Sequence, residues 1–270
     1  MVAAIEPAVE ADEMAKLQAR KTNQRRLIAV LVHVIALALW EIVVRVLEVP
    51  RFVLPAPSDI IQTITMPKYD WFNNSWVTAV EIVGGYLLAT LLGIATAMLF
   101  SWSQLFVTIA FPLLITLNMI PKVALGPLVI VWFSYGIGTN ILITFSLCYF
   151  PILLTTVRGL REVEPDLLDL VKSLRGTRWQ KFIYIQLPGA LPYIFSGMKV
   201  AAILAVAGAV VGEFIASDRG LAYLMIQVQA SLDTPAMFMA VTLITLIGML
   251  LYLLVLILEH IIVPKDARKS

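Results

Sequence analysis

The side chains that could do chemistry are few and far apart in this chain of 270 residues. The two histidines, His33 and His260, stand near opposite ends of the sequence, and the single cysteine, Cys148, lies in an apolar run. We find no carboxylate pair, Cys/His cluster or Ser/His arrangement for catalysis, and no G-x-x-x-x-G-K-[ST] string that would cradle nucleotide phosphates. We therefore predict that the chain is not an enzyme and holds no metal or cofactor of its own.

Two polar residues within one long apolar stretch are candidates for contact with a passing solute. Polar side chains are costly in lipid, so each must face either a polar pathway or a structural partner. Lys122 follows Pro121, and Asn118 lies one turn before it. Lys122 and Asn118 could line a pathway and favour anionic or carbonyl-bearing solutes. Alternatively, the ammonium group binds carbonyls that Pro121 leaves free, and this is the interpretation we favour.

A third candidate for the solute pathway, Glu213, lies at the end of another apolar stretch. It could line the mouth of the pathway or form an ion pair with Arg219, and the sequence leaves both interpretations open. We expect Lys199 to reach the membrane surface or a carboxylate. Glu81, near the end of a further apolar stretch, is interpreted as structural.

The composition places these residues in a membrane protein. Charged residues make up 14% of the chain and hydrophobic residues 60%, with a mean hydropathy of +0.89; soluble domains have about 25% and 45–50%. At roughly 20 residues per crossing, the length allows six transmembrane helices, and we predict an all-α fold. Proline residues should kink or break the third crossing. The predicted crossings are residues 27–47, 76–100, 105–133, 140–157, 190–211 and 236–258.

The segment between the first two crossings should contain a short helix at the membrane surface. Ser58 stands between a proline and Asp59, so we predict that it caps a helix over residues 59–65. In the first crossing, Glu41 and Arg45 are four residues apart and should pair along one helical face.

The distribution of basic residues predicts the orientation. With the N-terminus inside, the inner segments carry 14 of the 20 Lys and Arg residues and the outer segments carry four. The positive-inside rule then makes both termini and the segment 158–188 cytoplasmic. We divide the chain into a cytoplasmic arm (1–26), a transmembrane domain (27–260) and a cytoplasmic tail (261–270).

The segment 158–188 is the one long polar stretch inside the chain, and its pattern predicts two short helices. Glu164-Pro165-Asp166 is typical of a helix start, Gly176 ends that helix, and Thr177 can cap a second helix that continues to Leu187-Pro188. The first helix carries an apolar stripe at helical spacing: Leu167, Leu168, Val171 and Leu174. Such a hairpin either docks another protein or lies on lipid, and the pattern alone leaves both open.

Residues 169–188 read DLVKSLRGTRWQKFIYIQLP. This stretch resembles the cytoplasmic EAA loop of ATP-binding-cassette importer permeases, which has EAA, three residues, Gly, nine residues and I-x-L-P. The ending Ile185-x-Leu187-Pro188 sets the register, and the glycine of this chain, Gly176, comes one residue late. The register places Asp169 at the Glu position, Leu170 and Val171 at the two alanines and Arg175 at the glycine.

Further segments resemble the nitrate/sulfonate/taurine branch of these permeases, so that the resemblance extends over about residues 50–260. They occur in the order and spacing of that branch. They are residues 54–59 (LPAPSD), 120–133 (IPKVALGPLVIVWF), 150–152 (FPI), 208–214 (GAVVGEF) and 220–224 (GLAYL).

The resemblance implies a type I importer permease in a bacterial-type cytoplasmic (inner or plasma) membrane. It implies a pathway formed with a second permease copy as a homodimer, two ATPase subunits that bind ATP and Mg²⁺ on the cytoplasmic side, and an external solute-binding protein, periplasmic or lipid-anchored. Nothing in the net charge of +2 indicates nucleic acid as a partner. Coupling to the ATPase is then assigned to Asp169, Val171, Leu174, Arg175, Gly176, Trp179, Leu187 and Pro188.

The solute stays open between an oxyanion such as nitrate or a sulfonate and a small nitrogenous vitamin precursor. A homodimer is expected, with Gly208 and Gly212 and three alanines of the fifth crossing (Ala201, Ala205 and Ala209) at its axis. The alternative function is an ion-gradient-driven secondary transporter or channel, which predicts inverted repeats and buried carboxylates for ion coupling. We find no convincing repeat, and that alternative leaves the segment 158–188 unexplained.

Overall fold

Every regular element in the described part of the chain is helical, which confirms the predicted all-α class. The computed structural model describes residues 24, 27, 28, 30–102, 104–163 and 165–264. The chain forms two compact units, Met1–Thr65 and Met66–Ser270. The predicted arm 1–26, apart from residue 24, and most of the predicted tail 261–270 lie outside the described residues.

The first unit contains helix α1, described over residues 30–46, and the short helix α2, Pro57–Gln62. The predicted Glu41–Arg45 pair is confirmed, with Arg45 Nε 3.0 Å from Glu41 Oε1. The prediction that Ser58 caps the short helix is wrong, because α2 begins two residues earlier than predicted, at Pro57, with Ala56 at its N-cap. Ser58 instead donates to Glu41 from both its hydroxyl (2.8 Å) and its backbone N–H (3.0 Å).

The second unit is a helical bundle. It contains the segment 158–188 and the candidate solute-pathway residues Asn118, Lys122 and Glu213. Its helices are α3 (Trp71–Trp102), α4 (Gln104–Met119), α5 (Gly126–Phe133), α6 (Ile137–Arg161), α7 (Pro165–Ser173), α8 (Arg178–Lys181), α9 (Leu187–Ala216), α10 (Leu221–Gln229) and α11 (Thr234–Ile262).

Among the described residues of this unit, four helical stretches are long and apolar enough to cross a membrane by length and composition. They correspond to the second, fourth, fifth and sixth predicted crossings, and each extends beyond the predicted bounds. The first predicted crossing lies partly outside the described residues, and its described part is α1. The four stretches are Pro67–Trp102, Ile137–Arg161, Arg178–Ala216 and Thr234–Ile262.

The third predicted crossing is broken, as its prolines predict. Helix α4 ends at Met119, a 3₁₀ turn follows over Lys122–Leu125, and α5 then begins at Gly126. Pro121 stands between the two helices. Proline lacks a backbone N–H and its ring clashes with the preceding turn, so it kinks or breaks a helix, and here α4 ends two residues before it.

Helices α3, α6 and α9 pack closely along small residues and form the core of this unit. A Cβ atom added at Gly85 of α3 would lie 2.4 Å from Thr144 Cβ of α6. A Cβ atom added at Gly208 of α9 would lie 2.7 Å from Thr144 Cα. Helix α6 is therefore held between two helices whose glycines let the backbones approach.

The small residues of α9 serve this core, so the prediction that they lie at a dimer axis is wrong. Ala201, Ala205 and Ala209 have no exposed surface within the single chain. A Cβ atom at Gly212 would lie 2.9 Å from Asn140 Oδ1 of α6. Small residues permit close helix contact within one chain as readily as between two chains, and the sequence does not distinguish these cases.

Candidate functional site

The segment 158–188 leaves the bundle at the end of α6 and begins with an exposed helix. Helix α7 begins at Pro165, which confirms the predicted start; Glu164 itself lies outside the described residues. Asp169 lies exposed on α7, and Val171 is half-buried. Leu170 and Leu174 are 54% and 72% exposed. Large apolar side chains therefore stand in the open on α7 and the turn after it.

The turn after α7 is made by Arg175 and Gly176 together. Arg175, which stands at the glycine position of the EAA pattern, has a φ of 53° and so adopts the left-handed conformation. Gly176 does not have a positive φ, but a Cβ atom there would lie 2.6 Å from Val171 Cγ1. We predicted that Gly176 ends the helix. The structure assigns the left-handed turn to Arg175 and close packing against Val171 to Gly176.

The second helix begins with the predicted cap. Gln180 N donates to Thr177 Oγ1 at 3.2 Å, and Thr177 N donates to Gln180 Oε1 at 2.8 Å, which completes a capping box. Helix α8 starts at Arg178 and passes directly into a π-helical turn, Phe182–Gln186. The capping box within the first turn of α8 therefore fixes how the chain enters this helix.

The second helix does not end at Pro188, contrary to our prediction, but continues into α9. The uninterrupted helical stretch is Arg178–Ala216, with 39 residues, which is about 58 Å at 1.5 Å per residue. Leu187 and Pro188 lie in the first turn of α9, directly after the π-helical turn. Pro188 lacks an N–H and crowds the preceding turn, and the wider π turn accommodates both effects.

Trp179 attaches the start of this helical rod to the end of α3. Its ring centroid lies 6.0 Å from that of Trp102 and 5.9 Å from that of Phe182. Trp102 and Phe182 contact edge to face at 5.8 Å. Gln186 adds a hydrogen bond from Nε2 to the carbonyl of Leu160 at 3.0 Å. Aromatic contacts and a hydrogen bond thus fix the rod to α3 and α6.

Asn118 and Lys122 lie together at the break between α4 and α5. Lys122 Nζ donates to the Asn118 carbonyl at 2.6 Å and to Asn118 Oδ1 at 2.8 Å. Since the helix is broken at Pro121, the Asn118 carbonyl lacks its usual partner one turn later, and the ammonium group replaces it. This bond is the one that the structural interpretation of Lys122 predicts.

The same two residues also line a cavity of about 400 Å³. Its wall contains five aromatic and six aliphatic side chains, and Ser146 adds a hydroxyl group. Trp132 and Phe133 line this cavity, whereas the nearby Tyr135 is exposed and does not line it. Lys122 thus both binds Asn118 at the helix break and lies on the wall of the cavity. The aromatic lining residues are Trp132, Phe133, Phe145, Tyr149 and Phe150.

Glu213 is buried, at 1% exposure, and binds the start of α10. Its Oε2 atom accepts from the backbone N–H groups of Ala222 (2.6 Å) and Tyr223 (3.1 Å), and its Oε1 atom accepts from the hydroxyl of Thr78. Arg219 pairs with Asp218 at 3.4 Å, so the ion pair with Arg219, one of the two interpretations left open for Glu213, does not form. The N–H groups at a helix start have no partner within the helix, so they bind a carboxylate. Glu213 binds these groups of α10 in place of the side chain of Arg219.

The other free N–H groups of α10 are bound by α3, in an arrangement that the sequence did not reveal. Gly220 N donates to Asn74 Oδ1, and Leu221 N donates to Thr78 Oγ1, both at 2.9 Å. Gly220 has a φ of 115°, and a Cβ atom there would lie 2.4 Å from Glu213 Cδ. We call Asn74, Thr78, Glu213 and Gly220 the α10 clamp. The only signal of the clamp in the sequence was the four-residue spacing of the polar residues Asn74 and Thr78 on α3.

Next to the clamp, a second buried carboxyl group joins α3 to α6. Glu81 is fully buried, and its Oε1 atom accepts a hydrogen bond from Asn140 Nδ2 at 2.8 Å. This agrees with the structural interpretation of Glu81. Lys199 likewise reaches a carboxylate, as expected, with its Nζ atom 2.9 Å from Glu259 Oε1. Across the described ranges, no three His, Cys, Asp or Glu side chains gather as a metal-binding group.

Comparison with known families decides what this arrangement belongs to. Residues 89–266 match the family described as the binding-protein-dependent transport system inner membrane component. The chain belongs to this family. The match includes the segment 158–188, the residues that line the cavity, and Glu213 and Gly220 of the clamp.

Individual relatives agree with the family match. The chain is 33% identical to a probable ABC transporter permease protein of Haemophilus influenzae, over 81% of this chain and 89% of that protein. It is 30% identical to the formylaminopyrimidine transport permease protein ThiX of Halalkalibacterium halodurans, over 90% and 98%. It is also 30% identical to the riboflavin transport system permease protein RibX of Chloroflexus aurantiacus, over 86% and 87%.

These matches confirm the resemblance found in the sequence. The chain is a multi-pass inner-membrane permease subunit of an ATP-binding-cassette importer for a small solute, with the type I permease fold. Permease subunits of this family are not themselves enzymes, and the family implies an ATPase and a solute-binding protein as partners. The matches do not support the alternative of an ion-gradient-driven transporter or channel.

Proposed function

We propose that the segment 158–188 is the surface on which a separate ATPase subunit docks. The ATPase supplies the ATP and Mg²⁺ sites, and this chain supplies the docking helix α7 and the helical rod of α8 and α9. The contact residues are those assigned from the resemblance: Asp169, Val171, Leu174, Arg175, Gly176, Trp179, Leu187 and Pro188. The proposal rests on exposed leucines directly before a rigid rod.

The exposed leucines favour a protein partner. Leu170 and Leu174 stand on α7 and its turn, whereas Val171 packs inward against Gly176 and supports the turn. Burying a leucine side chain in an interface is worth about 1.5–3 kcal/mol, so two such residues supply a substantial part of a docking energy.

The rod explains how docking would move the pathway. A movement of the ATPase pushes α7 and its turn, and the cap at Thr177 passes this displacement to α8. Because α8 continues into α9 without interruption, the displacement reaches the packed core of the bundle as a rigid-body rotation. A flexible connection at residues 182–188 would absorb it instead.

Substitution of Leu174 by Asp tests the docking surface. We expect Leu174→Asp to lower ATPase copurification at least tenfold, because a charge replaces a buried apolar contact. The matched control is Leu232→Asp, an exposed leucine in the turn between α10 and α11, which should leave copurification unchanged. Equal copurification by both variants would remove α7 from the docking surface.

The proposed assembly follows from this surface. Two copies of the chain form the pathway as a homodimer, an external binding protein delivers the solute, and the segment 158–188 and both termini face the cytoplasm. The excess of basic residues in the inner segments supports this orientation.

We propose that Asn118 and Lys122 line the solute pathway at the aromatic cavity. Glu213 is not included, because its carboxylate is buried and bound to α10. Two of the three N–H donors of the Lys122 ammonium already bind Asn118, so only one donor is left to bind an oxyanion. Flat aromatic walls with a few polar groups suit a planar heterocycle, and the relatives named for formylaminopyrimidine and riboflavin transport support this choice.

A competition experiment separates the two solute classes. In vesicles containing the complete importer, uptake of a pyrimidine should be competed by other planar heterocycles and not by nitrate or taurine. Trp132→Ala should raise the KM for uptake about tenfold, since stacking on an aromatic ring is worth about 1–3 kcal/mol. Tyr135→Ala, an exposed aromatic residue outside the cavity, is the control. Competition by nitrate with an unchanged KM in Trp132→Ala would reverse the assignment.

A further inference from the structure

A second cavity, of about 550 Å³, lies where the helical rod meets the end of α3. It is separate from the solute cavity and from the exposed leucines of α7. Its described wall contains two cations and two indole rings and no carboxylate. The lining residues are Ser101, Trp102, Arg178, Trp179, Lys181 and Gln186.

The chemistry of this wall suits an anion. Within the described residues, neither Arg178 nor Lys181 has a carboxylate within ion-pair distance, although Arg158 and Lys199 of the same unit are both paired. The indole N–H groups of Trp102 and Trp179 also have no hydrogen-bond partner in the described part of the chain. Two unpaired cations and two free donors around one space are the groups that bind a phosphate.

The position of the cavity indicates a lipid phosphate. Trp102 is the last residue of the crossing helix α3, and tryptophan at a helix end lies at the headgroup level of a bilayer. Along α3, Leu92 and Leu99 lie on a face that leads to the cavity, and they are 45% and 55% exposed. An acyl chain can follow this face while the headgroup occupies the cavity.

We propose that this cavity binds the headgroup of an anionic phospholipid, whose phosphate contacts Arg178 and Lys181. The bound lipid fixes the start of the rod to the membrane surface beside α3. The inference rests on the proposed orientation only in placing the lipid in the cytoplasmic leaflet. The cavity shares Trp179 with the proposed ATPase contacts, but Arg178 and Lys181 are not among those contacts, so lipid binding is tested without the ATPase.

Tryptophan fluorescence provides a direct test, because Trp102 and Trp179 line the cavity. The full-length chain, without ATPase, is placed in phosphatidylcholine nanodiscs containing phosphatidylglycerol spin-labelled near the headgroup. The labelled anionic lipid should quench the two indoles more than labelled phosphatidylcholine does. The double variant Arg178→Gln/Lys181→Gln should reduce this preference about 30-fold, at roughly fivefold per basic residue. Trp102→Phe/Trp179→Phe should remove the preferential quenching.

Arg161→Gln is the control, since Arg161 is an exposed cation on the same side of the bundle and does not line the cavity. It should leave the preference unchanged. Relief of quenching by inorganic phosphate as effectively as by unlabelled phosphatidylglycerol would show a phosphate site without lipid specificity and overturn the proposal. So would an unchanged lipid preference in the double variant accompanied by loss of ATPase copurification, which would assign the cations to the ATPase.

Discussion

Arg175 is the residue at which this chain departs most clearly from its family pattern. The EAA pattern has glycine there, and the structure shows why: the backbone at Arg175 is left-handed, with a φ of 53°. A residue with a side chain adopts that conformation at a cost of about 1–2 kcal/mol. The glycine one position later, Gly176, packs against Val171 and cannot relieve this strain.

Substituting Arg175 by Gly should therefore stabilise the turn. We expect a gain of about 0.5–1 kcal/mol, since the relief of strain exceeds the entropy that glycine adds to the unfolded chain. Slower hydrogen exchange of the amides at residues 176–178 would report the gain. The matched variant Arg161→Gly, placed in the last turn of α6, should lose up to about 1 kcal/mol. Faster exchange in Arg175→Gly would show that the arginine side chain stabilises the turn.

The sequence predicted the chemistry of single residues better than it predicted which residues of other helices pack beside them. The bond from Lys122 to the Asn118 carbonyl followed from Pro121, one position away. The cavity beside Lys122 did not, because its aromatic wall comes from α5 and α6, 10 or more residues later in the chain. Glu213 shows the same limit: its polar character was evident, but its partners Thr78 and Ala222 depend on how α3, α9 and α10 pack.

At the scale of elements, α10 is held at its first turn by side chains of α3 and α9. Its first four N–H groups, from Gly220 to Tyr223, bind Asn74, Thr78 and Glu213. In this chain the carboxylate of the segment 208–214 binds the backbone of the segment 220–224. The α10 clamp therefore determines where α10 packs on the bundle.

Gly220→Ala should release α10 from the bundle. The new Cβ atom would lie 2.4 Å from Glu213 Cδ, and alanine disfavours a φ of 115°, so we expect a loss of at least about 2 kcal/mol. The thermal unfolding midpoint in detergent measures this. Gly189→Ala is the control, because that position is helical with open space around it, and alanine should stabilise it slightly. Equal midpoints for Gly220→Ala and the unmodified protein would exclude the clamp.

The continuity of α8 with α9 was the element-scale feature that the sequence concealed. Leu187-Pro188 suggested a helix end, because proline normally ends or kinks a helix that it follows. The structure shows a π turn at Phe182–Gln186 that widens the helix just before the proline. The apolar residues on either side of Pro188 have helical spacing in either case. The sequence therefore does not show whether the helix ends at Pro188 or widens and continues, and only the packed structure distinguishes these two outcomes.

At the scale of the whole molecule, the apolar pattern predicted most of the second unit. The second, fourth, fifth and sixth crossings occur as long helices, and the proline-rich third crossing is broken as expected. Residue types alone did not show which faces pack within the chain. Gly208 and Gly212 were assigned to a dimer axis, although both face α6, since small residues mark close contact without identifying the partner.

The central proposal is that the rod carries ATPase movement into the pathway, and an insertion of three glycines between Gln186 and Leu187 tests it most directly. In reconstituted vesicles, the ATPase should still bind and hydrolyse ATP, whereas uptake should fall at least 100-fold, because the glycines interrupt the helix. The same insertion between Glu162 and Val163, before α7, leaves the rod intact and should retain most uptake. Undiminished uptake with the first insertion would contradict the proposed coupling.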